Sequence, residues 1–441
     1  MIRFASIATL LAGASLLSAA DFEKEMVANW HHWRGPNADG SSPAEPPLKW
    51  DSKTNIRWTA DLPGKGSSTP IIWGDRVFIL TAMKTDRQAK PEELPKVDPK
   101  FQTKTEAPKH FHRFLVLCFD RASGKKLWEK QAAEAVPHEG HHNSHSYCAG
   151  SPTTDGRFLY ASFGSFGTYC YDFDGSLIWS RDLGRMHTRL GWGEAVTPVI
   201  HGTSLLLNCD QESDSTLYCL DAATGKTKWA AKREEKTSWN TPLVVERGGR
   251  TQVIVNGTSR IRSHDLANGD VIWSCGGMTT NAIPSPILFG DSVLVTSGYG
   301  PGQTLSIPLD SRGELGADAV TWRHKGGSPY VPSPVLANGL LYFTQQNDNP
   351  LTILDAKTGK VLVDKERLPN VRTFYASPLA AAGRIYFTDR AGTTLVLKAG
   401  REVEVLAVNK LDDPIDASPV AVGKQLFLRS ASKLYCIEEK P

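Results

Sequence analysis

Four histidines and a glutamate crowd into one short segment: His138, Glu139, His141, His142 and His145, within AAEAVPHEGHHNSHSYCAG from Ala132 to Gly150. Neutral imidazoles at close spacing bind zinc, copper or nickel, and His141, His142 and His145 are the candidate ligands, with Asp210 or Glu212 able to complete a site. The simpler expectation is a polar surface loop whose imidazoles bond backbone and water. No spacing here matches a recognised metal motif, so no metal is assigned. A second cluster lies in LGRMHTRLGWGEA, where Arg185, His187, Arg189, Trp192 and Glu194 alternate charge with an indole. Two guanidiniums beside a tryptophan suit an anionic or sugar-like ligand. Equally, Arg189 and Glu194 suit an internal ion pair with Trp192 as packing. No nucleophile stands at a spacing that gives it a base, so no catalytic residue is assigned.

The elements that must position these residues form a repeat. Ser/Thr-Pro opens a strand at Pro70, Pro152, Pro198, Pro242, Pro286, Pro334, Pro378 and Pro419. Most intervals run 41 to 48 residues, the length of a four-stranded propeller blade. Within a unit, Asp-x-x-Thr/Ser/Asn-Gly corners (Asp120, Asp221, Asp265, Asp355) suit hairpins with glycine in the left-handed region. The outer strand ends on tryptophan in six units: Trp58, Trp128, Trp179, Trp229, Trp273 and Trp322. A flat ring repeated once per blade is expected to pack adjacent blades together. The expected fold is therefore all-β, an eight-bladed β-propeller of four-stranded antiparallel blades spanning 54–441.

Strand parity then places the unusual segments. Loops between second and third strands emerge on the same face as the connections between blades. The insertion 84–112, the two clusters above and the Asp210 loop are all of these kinds and are expected on one face. Trp239 and Asn240, with Asn281, Tyr330, Tyr375 and Asp416, precede Ser/Thr-Pro openers and point to the channel mouth, where Asp389 and Arg390 join them.

Residues 1–20 read as a secretory signal: Arg3, then an apolar run from Phe4 to Leu17, then Ser18-Ala19-Ala20. No cysteine follows that run, so a lipid anchor is not expected, and the expected location is periplasmic or secreted. Residues 21–53 form a Pro-rich aromatic arm expected to dock on the body. Ile56-Arg57-Trp58 supplies the outer strand missing after Glu439, which closes the ring. A net charge of +3 argues against nucleic acid, no other segment is a candidate membrane span, and a monomer is expected. Of the seven cysteines, Cys118, Cys170, Cys219 and Cys436 occupy equivalent positions in separate repeats, too far apart to bridge; Cys148, Cys209 and Cys275 stay open.

The corner DAATGKTKW at Asp221 to Trp229 resembles the repeat of the pyrroloquinoline quinone (PQQ) propeller family, over about residues 54–439. That family includes quinoprotein alcohol dehydrogenases and the non-enzymatic outer-membrane assembly lipoprotein BamB. WHHWRGPN with PLKW and NIRW is also similar to secreted bacterial PQQ-like propeller proteins. The resemblance implies either a non-catalytic binding or scaffold protein of the cell envelope, with a protein, small-molecule or glycan partner, or a quinoprotein oxidoreductase using PQQ and calcium. The dehydrogenases' vicinal cysteine pair is absent, so no catalytic residue is carried over.

Overall fold

Proline has no N–H to give to a ladder, so each Ser/Thr-Pro opener starts a strand whose free edge faces a channel. In a computed structural model of the protein, which describes residues 19–96, 98–101 and 103–440, eight sheets follow from those openers. Their innermost strands are Ile71–Trp73, Thr153–Thr154, Val199–His201, Leu243–Arg247, Ile287–Phe289, Val335–Ala337, Leu379–Ala381 and Val420–Val422. They begin blades one to eight in that order. Blade three continues through Ser204–Cys209, Thr216–Asp221 and Thr227–Lys232, all antiparallel. Ser204–Cys209 is buried at every position, whereas Thr227–Lys232 alternates. The second strand is covered on both faces by neighbouring blades and the outer one only partly.

Ile56–Asp61 is the outermost strand of blade eight, antiparallel to Lys433–Ile437, with Trp58 opposite Cys436 and Ala60 opposite Leu434. The chain thus closes its own ring. Most of the leader expected at 1–20 lies outside the described residues. None of the helices among the described residues is long and apolar enough to cross a membrane. All seven cysteines are buried and unpaired.

Two repeated contacts explain the sequence motif. The indole N–H of Trp58, Trp128, Trp179, Trp229 and Trp322 donates to a carbonyl in the next blade: Arg121, Phe173, Ala222, Leu266 and Ala356, each following the corner aspartate. Trp273 differs, since it bonds Gln252 of its own blade, whose amide reaches Leu309 in the next. The corner glycine lies against the same indole: a Cβ on Gly225, at φ +69°, would come within 2.7 Å of Trp179. Asp-x-x-Thr-Gly and Trp are therefore two halves of one joint.

The second contact runs around the axis. At seven of the eight openers the backbone N–H of the residue before the proline donates to the equivalent hydroxyl in the next blade. The bonds are Thr69 to Ser151, Ser151 to Thr197, Thr241 to Ser285, Ser285 to Ser333, Ser333 to Ser377, Ser377 to Ser418, and Ser418 to Thr69. Seven of eight junctions are bonded, and this belt gives the dipeptide its hydroxyl.

One element differs from expectation, and the placement of a second becomes specific. The insertion 84–112 is partly strand, because blade one's Arg76–Gln88 and His110–Asp120 extend as a long hairpin carrying a short 3-10 turn at Pro91–Glu93. The arm docks along the innermost strands that line the channel. After the helix Ala19–Val27, Trp30 bridges Ile72, and the His31 carbonyl accepts from Thr153 and Thr154. Ser41–Ser42 then pairs in parallel with Ala380 and Ala381. Between them Arg34, fully buried, donates to the carbonyls of Asp39, Pro378 and Pro334. The arm thus contacts innermost strands or openers of blades one, two, six and seven, and Ser42 bonds Ala421 of blade eight.

Candidate functional site

The segments leading into the eight innermost strands converge on one axial cavity of about 240 Å³. Every blade contributes to its wall. Trp33 from the arm, Trp192, Trp239, Tyr330 and Tyr375 supply aromatic surface, and the Ser/Thr belt supplies hydroxyls. Trp239 is fixed by its indole N–H on the Gly193 carbonyl at 2.8 Å. The Arg390 guanidinium lies 4.1 Å from the Tyr375 ring centre and makes two bonds to Asp416, at 2.7 and 3.0 Å. A short polar chain crosses the rim: His142 Nδ1 to Ser144 Oγ at 2.7 Å, and Ser144 Oγ to Tyr375 hydroxyl at 2.8 Å.

The long loops gather around this mouth through named bonds. Lys104 N–H donates to Leu190 O, Thr105 Oγ1 to Gly191 O, and Glu212 N–H to His187 O. His142 N–H donates to Trp192 O, and Phe101 of the insertion stacks on His187 with ring centres 3.9 Å apart. The insertion, the histidine loop and the Arg185–Glu194 segment therefore share one face.

The individual candidates occupy different surroundings. His142, His145, Trp192 and Trp239 line the cavity; His138, Glu139 and Glu194 line a smaller one beside it. His141 Nδ1–H donates to His142 O, and His145 Nδ1–H to Ser146 O. Burial pushes His145 down to about 4. Among the described residues these histidines do not converge as a three-ligand group, whereas His138, Glu139 and His187 do. Asp210 is committed elsewhere: its carboxylate takes Arg233 at 2.7 and 3.2 Å and Ser238 at 2.6 Å, all buried. Glu212 accepts from Thr237 N–H and hydroxyl. Asn240, also buried, donates to Asn256 O and Ser238. Arg185 is exposed.

The expected Arg189–Glu194 pair does not form. Glu194 accepts instead from Ser165 N–H and Oγ at 2.7 and 2.6 Å, and burial raises its carboxyl to about 7 against those bonds. Arg189 has no ion-pair partner among the described residues; its backbone N–H bonds Thr237. Sequence reasoning missed Trp33, Ser144, Ser165 and Thr188. Only Ser144 carried a local signal, two residues from His142.

A calcium-bound quinone does not fit the cavity's donors. Calcium takes 6–8 oxygen ligands rich in carboxylate. Among the described residues Asp416 is the sole carboxylate of the wall, and both its oxygens are bonded to Arg390.

The family model described as outer membrane protein assembly factor BamB matches residues 112–365, more than half of the chain. No curated protein sequence matches the chain. Among solved structures, BamB from Moraxella catarrhalis is similar at 13% identity and a TM-score of 0.52, covering 82% of this chain and 100% of that one. A europium-containing methanol dehydrogenase is similar at 11% identity and TM-score 0.61, covering 95% and 99%. Quinohemoprotein alcohol dehydrogenase from Comamonas testosteroni is similar at 10% identity and TM-score 0.63, covering 96% and 83%. At these identities the three structures speak to the fold alone.

Proposed function

The chain belongs to the PQQ-like propeller family of the outer-membrane assembly factor BamB, and from that premise we propose that it is a non-catalytic binding protein of the bacterial cell envelope. Its leader exports it to the periplasm or beyond, and its site is the axial cavity on the loop-bearing face. The observation that carries this reading is the cavity wall: all eight blades converge on it, with five aromatic rings and a belt of hydroxyls. Aromatic faces beside hydroxyl donors and acceptors suit a small neutral ring ligand of the glycan class. The commitment of Asp416 to Arg390 weighs against the quinoprotein alternative.

The test is a pair of titrations on the untagged protein. Intrinsic tryptophan fluorescence is followed with short oligosaccharides, and separately with PQQ plus calcium. Saturable quenching by a saccharide, weakened in Trp192→Ala, with no dye-linked alcohol oxidation after PQQ and calcium, supports the reading. Stoichiometric quinone binding accompanied by alcohol oxidation would overturn it.

A further inference from the structure

Beside the axial cavity, two connections far apart in sequence meet at His138, Glu139 and His187. One ligand atom from each lies within 4.8 Å of the others, the sole such three-residue group among the described residues, and His138 and Glu139 are buried.

The bonds around this group resemble those that orient metal ligands rather than those that use them up. His138 Nε2–H donates to Met186 O at 2.7 Å, which fixes the tautomer and leaves Nδ1 with a free lone pair. Thr188 N–H and Oγ1 both donate to Glu139 Oε2 at 3.0 Å, which turns Oε1 toward His187 Nδ1 at 2.9 Å. Phe101 stacked on His187 holds that ring in place from the insertion. A cavity of about 20 Å³, room for one ion or water, borders His138 and Glu139.

We propose that His138, Glu139 and His187 bind one divalent transition-metal ion of the zinc class, which ties the 132–150 and 183–195 connections together. Two imidazoles and a carboxylate suit zinc and leave a fourth position for water. Zinc bonds of ~2.0–2.2 Å place donors about 3.3–3.5 Å apart, so the three side chains close on the ion by small rotations. The ion takes the place of the proton between Glu139 Oε1 and His187 Nδ1, and that proton moves to His187 Nε2. This site is independent of the glycan reading, since none of its three residues lines the axial cavity.

The experiment uses full-length untagged protein stripped with chelator, then dialysed against zinc and analysed for bound metal. About one equivalent per chain is expected, with a raised melting temperature and, after cobalt substitution, visible absorption of a low-symmetry nitrogen–oxygen site. The His138→Gln/His187→Gln variant loses the metal, whereas His141→Gln/His142→Gln keeps it. Uptake well below one equivalent in the wild type, or loss in the second variant but not the first, overturns the proposal. The wild-type cobalt spectrum decides the matter even if the first variant fails to fold.

Discussion

Arg34 Nη1 donates to the carbonyl oxygen of Pro378 at 3.1 Å, across 344 positions of sequence. The same guanidinium also reaches Asp39 and Pro334. Three backbone carbonyls at the channel axis therefore share one donor group, and burial lowers the Arg34 pKa to about 10. The guanidinium makes no bond to a carboxylate among the described residues; the three carbonyl dipoles and the nearby charge of Asp39 favour the cation against burial.

Arg34→Ala is expected to cost about 3 kcal/mol or more, because it orphans buried acceptors and opens a void together. Urea unfolding followed by fluorescence measures it. A midpoint equal to wild type would show that the channel packs as well without the guanidinium.

Stability should fall steeply in mild acid. Burial lowers His31 and His264 to about 4 and His32 to about 3, from an ordinary 6.5. Unfolded imidazoles take up protons below pH 6.5 while these three do not, so their contribution is present above that pH and is lost as pH falls toward 4. The combined slope reaches up to ~4 kcal/mol per pH unit. Melting temperatures between pH 7 and 4.5 test this, and a flat profile would contradict it.

The hydroxyl belt predicts a local and specific loss. Ser285→Ala leaves the buried Thr241 N–H without its acceptor, at an expected ~1–2 kcal/mol. Ser285→Thr, which keeps the hydroxyl, should recover most of it in the same denaturation assay.

Asp210 and Trp192 should behave oppositely. Asp210→Asn breaks a buried pair with Arg233 and is expected to cost about 3–5 kcal/mol, with saccharide affinity unchanged in the surviving folded protein. Trp192→Ala should weaken saccharide binding by about tenfold or more with a much smaller loss of stability. Calorimetry and fluorescence titration on both variants separate the two roles.

The fold was legible because its signals recur. Five blades repeat the same joint between an outer-strand tryptophan and the next corner, and all eight carry a hydroxyl residue before the opener proline, so the recurring local pattern outvotes its exceptions. Trp273 shows the limit: its indole turns to Gln252, and nothing in VIWSC distinguishes it from LIWSR around Trp179. The site was only partly legible. That the long loops share a face follows from strand parity, but parity says nothing about which side chains meet.

Glu194 makes the point. In sequence its nearest basic partner is Arg189, yet the carboxylate bonds Ser165, 29 residues away, because blade two's second-to-third-strand turn delivers that N–H. Likewise His187 meets Glu139 across 48 residues while the closely spaced His141, His142 and His145 turn to backbone and serine. The sequence alone determined the blade count, the closure through Trp58 and the face that carries the loops, since these depend on periodicity and alternation along the chain. Only the tertiary structure decided that the arm docks along the channel's innermost strands, that Asp210 is spent on Arg233, and which histidines converge. Those outcomes depend on contacts between segments whose separation in sequence carries no distance information, and on which partner first satisfies each buried polar group.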